Sequence, residues 1–312
     1  MMKKAKLLLT AVVFMFLLPM AVLAQTFSPV VSTEDLSVGL TNPDLVIVDI
    51  RKVEEYKAGH IPGAVNVFYG TWAVKAGDND NQLPADDDLA DTLGSAGIKP
   101  DSTVVVYGKT DTPPDLVNVT RVAWTLKYAG VQKVSVLDGG FEKWAAFEKR
   151  PVSTDTTVPK AASYQGKFNK NIVASKDYVK ASMGGKGKVL IVDVREPDFY
   201  KGIQKLPFIA KAGRIAGAVN LPTSQLFEKY PASGENAGSC CTIYKGKEIL
   251  KGIATPVVGT DPTREIIVYC DTGKFATGWW FVLSEVLGYK NVKNYDGSTQ
   301  EWMRDQNGPT LP

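Results

Sequence analysis

Histidine is almost absent from this chain, with one residue, His60, among 312. Chemistry built on a Cys–His dyad or a cluster of imidazole metal ligands has at most that residue to draw on. Cysteine is nearly as scarce, at positions 240, 241 and 270, which excludes a disulfide-dense scaffold. An odd thiol count leaves one sulfur unpaired or paired to another chain. An excess of one charge is missing too, with 36 Lys and Arg against 33 Asp and Glu. Residues 1–24 read as a signal peptide: Lys3, Lys4 and Lys6, an apolar run from Leu7 to Leu18, and Val22-Leu23-Ala24 before Gln25. Its removal takes away three lysines and no acid, so the formal net charge falls from +3 to zero. Binding to nucleic acid then has no global electrostatic basis. The apolar run is short for a membrane span and broken by Pro19, so no stable membrane insertion is expected after cleavage. Export is expected: to the periplasm in a Gram-negative bacterium, otherwise to the medium.

What the chain does contain is a duplicated unit. Leu45-Val46-Ile47-Val48-Asp49, then Arg51, Tyr56 and Gly63-Ala64-Val65-Asn66, returns as Val189-Leu190-Ile191-Val192-Asp193, Arg195, Tyr200 and Gly217-Ala218-Val219-Asn220. Val104 to Tyr107 matches Ile266 to Tyr269, and Gly130 to Trp144 matches Gly288 to Trp302. The offset between copies drops from 162 to 158, so the first copy is four residues longer between strand and helix end. Short β-branched runs alternating with helical segments predict a parallel sheet wrapped by helices in each unit. The spacing divides the chain into a leader (1–24), a first domain (25–151), an extended Thr/Ser/Pro-rich linker (152–169) and a second domain (170–312).

The stretch EIIVYCDTGKFATGWWFVL, residues 265–283, reads as strand, loop and helix with Cys270 at the hinge. Ligands in such folds sit at the C-terminal ends of parallel strands. Free N–H groups at a helix start favour an anion there and are expected to lower the thiol pKa, making Cys270 the candidate nucleophile. An arginine six positions on, which would clamp phosphate, is replaced by Ala276, so phosphoryl chemistry is disfavoured. Asp78 to Asp88 carries five acids without the glycine or glutamate of an EF-hand and reads as a solvated loop leading to a helix after Pro84. His60 reads as a turn residue in GHIPGA. Adjacent Cys240 and Cys241 could close only a strained ring, so a disulfide between them is not expected, although either could pair with Cys270 as a redox partner if their loop reached it.

VDIRKVEEYKAGHIPGAVN, VDVREPDFY with GRIAGAVN, YCDTGKFA, and the Asp-Gly-x-x-x-x-Trp endings at Trp144 and Trp302 together resemble the tandem-domain rhodanese family over nearly all of the mature chain. The resemblance implies two rhodanese-like domains, each a parallel five-stranded sheet flanked by helices. It implies an inactive first domain and a catalytic second one, a sulfurtransferase with a Cys270 persulfide, no cofactor and no metal. Gly108 stands where the second copy has Cys270, in agreement with that division. The partners so implied are a small sulfur-containing anion and a thiol or other acceptor, held by Asp271, Thr272, Gly273, Lys274, Phe275 and Ala276 with Arg195, which reads equally as a structural partner of an acid in its own domain. Asp271 and Thr272 after the cysteine, and Phe199 in place of a family arginine, leave the donor open. The alternative is a non-enzymatic or redox partner that binds sulfur, selenium or tellurium oxyanions, or another exported protein, through the same loop.

Overall fold

The structure is a computed structural model that describes residues 27–183, 189–230, 240–305, 308 and 310–311; the leader expected at 1–24 lies outside them. The first unit contributes strands β1 (Val30–Val31), β2 (Leu45–Asp49), β3 (Val65–Asn66), β4 (Val74–Ala76), β5 (Asn79–Gln82), β6 (Thr103–Tyr107) and β7 (Lys133–Leu137). The second contributes β8 (Val173–Ala174), β9 (Val189–Asp193), β10 (Arg214–Ile215), β11 (Val219–Asn220), β12 (Phe227–Lys229), β13 (Thr242–Tyr244), β14 (Glu265–Tyr269), β15 (Asn291–Tyr295) and β16 (Thr310–Leu311). Two five-stranded parallel sheets result, ordered β1-β7-β6-β2-β3 and β8-β15-β14-β9-β11. The order is the same in both, as the internal repeat requires. Central β6 is buried at every position because helices cover both faces, which is why it reads as a continuous β-branched run.

Local signals place the helices. Thr112 and Asp115 form a capping box before helix Pro113–Ala129, with two prolines in its first turn, and Gly130 ends it at φ +97°. Ser175 caps helix Lys176–Ser182. All six tryptophans are buried.

The repeated Asp-x-Arg and Ala-Val-Asn motifs are structural. Arg51 makes a bidentate pair with Asp49, and Arg195 does the same with Asp193. Asn66 and Asn220 each donate to the carbonyls of the Asp and Arg of their own unit. Each arginine thus ties the end of a central strand to the following turn.

The domains grip one another reciprocally. Helices Pro113–Ala129 and Ala276–Phe281 pack together at the seam, where the Thr120 and Thr277 hydroxyls meet at 3.4 Å. Hairpin β4–β5 of domain one reaches domain two, and β12–β13 of domain two reaches domain one. The N–H of Leu83 donates to Asp296 at 2.9 Å and that of Tyr244 to Asp138 at 3.0 Å, so equivalent aspartates receive equivalent arms. The acidic stretch from Asp78, expected as a solvated loop, is therefore in part an interdomain arm. Its backbone polar groups find partners across the seam, as when Asp80 N–H donates to Gln300.

Candidate active site

Cys270 follows β14 and is 1% exposed. The backbone N–H groups of Thr272, Phe275 and Ala276 point at its sulfur. Gly273 makes the turn possible: φ is +75°, and a Cβ there would lie 2.4 Å from the Asp296 carbonyl oxygen. The loop is stitched from below. Cys270 N–H donates to Ser298 Oγ at 3.1 Å, Thr299 N–H to the Cys270 carbonyl at 3.1 Å, and Gln300 N–H to the Asp271 carbonyl at 2.9 Å.

The electrostatics depart from the sequence expectation in one respect. Burial pushes the Cys270 thiol above its ordinary value of 9.0, the Asp271 carboxylate pushes it further, and the three N–H donors pull it down without prevailing. A short loop supplies dipoles, but burial this complete penalises the thiolate more than those dipoles favour it. The thiol is therefore protonated at neutral pH.

Each remaining residue expected at the site has a definite place. Asp271, raised by burial and held down by Arg195, accepts from Thr299 Oγ1 at 3.0 Å and from Arg195 Nη1 at 3.4 Å. Thr272 is buried, and its Oγ1 accepts from Asn81 of domain one at 3.1 Å. Lys274 Nζ lies over the Tyr69 and Phe275 rings, 5.5 and 5.7 Å from their centroids. Burial lowers its pKa, opposed by Cys270 and Asp115.

Arg195 was open to two roles, substrate ligand or structural partner of an acid in its own domain, and the contacts described for it are of the second kind. Its Nε and Nη2 serve Asp193, Nη2 also serves the Gly213 carbonyl, and Nη1 faces Asp271, with its side chain 4% exposed. It supports the loop from behind. Cys240 and Cys241 form a disulfide with each other, contrary to expectation, and leave Cys270 free. Their segment lies against domain one, where Thr242 N–H donates to the Thr110 carbonyl at 2.6 Å. His60 is buried in domain one, stacked on Tyr56 and bonded through Nδ1 to the Tyr56 carbonyl.

Residues that sequence reasoning missed come mainly from domain one. Tyr69, pushed up to about 12 mainly by burial, donates to Asn81 at 3.2 Å and continues to Thr272 through the Asn81 amide. Arg121, fully buried, pairs bidentately with Asp296 beneath Gly273, with Nη2 to Oδ2 at 3.1 Å. The repeat signalled Asp296 through its match to Asp138; no local pattern signalled Asn81 or Arg121.

A buried cysteine at the C-terminal end of a central parallel strand, ringed by three loop N–H groups and walled by a second copy of the same fold, defines a tandem rhodanese-type α/β protein. The family model for the rhodanese-like domain matches residues 32–147 and again 175–305. The chain belongs to the tandem rhodanese sulfurtransferase family. A candidate thiosulfate sulfurtransferase from Mycolicibacterium smegmatis is 34% identical over 286 residues, 87% of this chain and 93% of that protein. The thiosulfate sulfurtransferase of Azotobacter vinelandii is 30% identical over 275 residues, 88% of this chain and 93% of its own. The crystal structure of the 3-mercaptopyruvate sulfotransferase SseA from Escherichia coli superposes with a TM-score of 0.70 over 87% of this chain and 98% of that one; at 24% identity it speaks to the fold.

Proposed function

We propose that the chain moves a sulfane sulfur from a small anionic donor such as thiosulfate to a thiophilic acceptor through a persulfide on Cys270. The observation that carries this reading is the convergence of the Thr272, Phe275 and Ala276 N–H groups on one buried sulfur. The Cys270 thiolate attacks the outer sulfur of thiosulfate, the S–S bond to the sulfonate breaks, and sulfite leaves with the electron pair. The terminal sulfur of the persulfide is anionic, and the same N–H groups are available to it. An acceptor then attacks that sulfur and Cys270 departs as thiolate, so the cycle needs no external oxidant or reductant.

Because the resting thiol is protonated, the proton must leave before attack. Lys274 lies close enough for Cys270 to act on its charge, and a cation there favours the thiolate once the proton has gone. Asp271 disfavours the thiolate, and Arg195 behind it partly cancels that charge. The non-enzymatic alternative drew on Asp271, Phe199 and the vicinal cysteines, of which the last are bonded to each other and not to Cys270.

The test is intact-mass spectrometry of the purified chain after separate incubation with thiosulfate and 3-mercaptopyruvate. One added sulfur atom on Cys270, removed by cyanide as thiocyanate, is the expected result. No adduct with either donor would sink the reading. Export is part of the proposal, and a processed N terminus at Gln25 in the exported fraction would test it.

A further inference from the structure

Lys274 is the only Lys or Arg of the loop from Cys270 to Ala276, and among the described residues its ammonium has no ion pair and no hydrogen-bond partner. The neighbouring guanidinium groups are engaged elsewhere, Arg195 on Asp193 and Asp271 and Arg121 on Asp296. Asp115 acts on the Lys274 charge, but its Oδ2 holds the Thr112 cap. A half-buried ammonium on a flexible four-carbon stem turns to water unless something holds it. Two aromatic faces do so here. Phe275 belongs to the loop itself and Tyr69 to domain one, and both rings lie within the range of about 6 Å over which a ring attracts a cation.

The repeat shows that the fold does not need a tyrosine at this position. Tyr69 opens a short turn three residues after Asn66, and Thr223 opens the matching turn three residues after Asn220. Both backbone N–H groups donate to the residue that follows a central strand, Tyr69 to the Ile50 carbonyl at 3.1 Å and Thr223 to that of Val194 at 2.9 Å. In domain two the side chain stays at home, with the Thr223 hydroxyl donating to the Val194 carbonyl at 3.0 Å. In domain one it reaches across the seam instead. The Tyr69 hydroxyl donates to Asn81, and the Asn81 amide holds Thr272 of the Cys270 loop, so the ring is pinned at its far end while its face meets Lys274.

We infer that Tyr69 is the positioning residue by which domain one holds Lys274 beside Cys270, so that the anionic end of the sulfur donor meets a fixed cation. This rests on the sulfur-transfer reading above. It gives the domain that lacks a nucleophile a defined part in donor affinity, exerted through Lys274 and not through contact with the reacting sulfur.

The test reads thiosulfate affinity by calorimetry on the Cys270→Ser chain, where no sulfur can transfer. Tyr69→Thr, which copies domain two, should weaken binding about tenfold, the worth of a largely desolvated cation–π contact, and Lys274→Met at least as much. Tyr69→Phe keeps the ring and should stay within about threefold of the parent. Tyr69→Thr combined with Lys274→Met should bind no more weakly than Lys274→Met alone, because the ring acts only through the ammonium. A tyrosine that merely supported the fold would give losses that add and no rescue by phenylalanine. Tyr69→Leu repeats the removal of the ring should the threonine variant not fold. Affinity unmoved by loss of the ring, losses that add, or no thiosulfate binding to the parent overturns the inference. The expected pattern without any persulfide on the wild-type chain keeps Tyr69 and Lys274 as an anion site and defeats the sulfur-transfer reading alone.

Discussion

In domain one Gly108 follows β6, and in domain two Cys270 follows β14, at the same point of equivalent sheets. A Cβ on Gly108 would lie 2.9 Å from Ile50 Cγ1, whereas the position matching Ile50 in domain two is Val194, one methylene shorter. The donors differ as well. Counting from the strand end, the residues matching Thr272, Phe275 and Ala276 are Thr110, whose N–H is taken by Glu142, and Pro113 and Pro114, which have none. Domain one has lost space and cradle together, not a thiol alone. The flanking arginines diverge in the same way. Phe141 covers Arg51, with its ring centroid 3.6 Å from the guanidinium carbon, while Arg195 faces Asp271 and the loop.

The largest effect expected from breaking this contrast is at the cysteine. Cys270→Gly, which imitates domain one, should abolish persulfide formation with the circular-dichroism spectrum unchanged. Gly108→Cys should acquire no second sulfur by intact mass, even combined with Ile50→Val to make room, because the N–H donors stay absent. A second persulfide in that double variant would show that packing alone separates the two loops.

Next in size is the seam. Arg121→Leu leaves Asp296 buried beneath Gly273 without its cation, and breaking such a pair costs about 3–5 kcal/mol. The denaturant midpoint should fall accordingly, while Lys143→Met at the looser 3.9 Å Asp138 contact of domain one should shift it far less.

Smaller again is the pH profile. With the Cys270 pKa raised, the ionised fraction grows with pH, so the loading rate should climb from pH 7 past the ordinary value of 9.0 without levelling off before it. Asp271→Asn removes the second-largest cause of that rise and should move the inflection to lower pH, accelerating loading several-fold at pH 7. The smallest effect is at Asn81→Ala, which removes the Tyr69–Asn81–Thr272 link. It should cost about 1 kcal/mol of stability, read from the same denaturant curves.

Much of this was legible in the chain itself. The two sheets, their boundaries at Asp49 and Asp193, and the thiol at the strand end all follow from periodicity and the repeat, since each depends on neighbours within a few residues or on a copy of them. The contributions of Asn81, Tyr69 and Arg121 were not legible, because each acts on a partner between about 175 and 200 positions away or through one. The acidic stretch around Asp80 carried the composition of a solvated loop, and only docking against Gln300 and Asp296 turned it inward.

By itself, then, the sequence determined the class of fold, the duplication and which copy keeps the thiol, because these are written in local apolar period and in the identity of one residue against its repeat. The tertiary structure decided the ionisation of that thiol, since a helix start argues for a lowered pKa and the burial around Cys270, with the Asp271 carboxylate, reverses its sign. It also set the contacts of Arg195, whose guanidinium meets three acceptors close at hand, Asp193, Gly213 and Asp271. It joined Cys240 to Cys241, a pairing that adjacency argued against. Each of these depends on desolvation or on contacts among elements remote in the chain, and no window of sequence contains them.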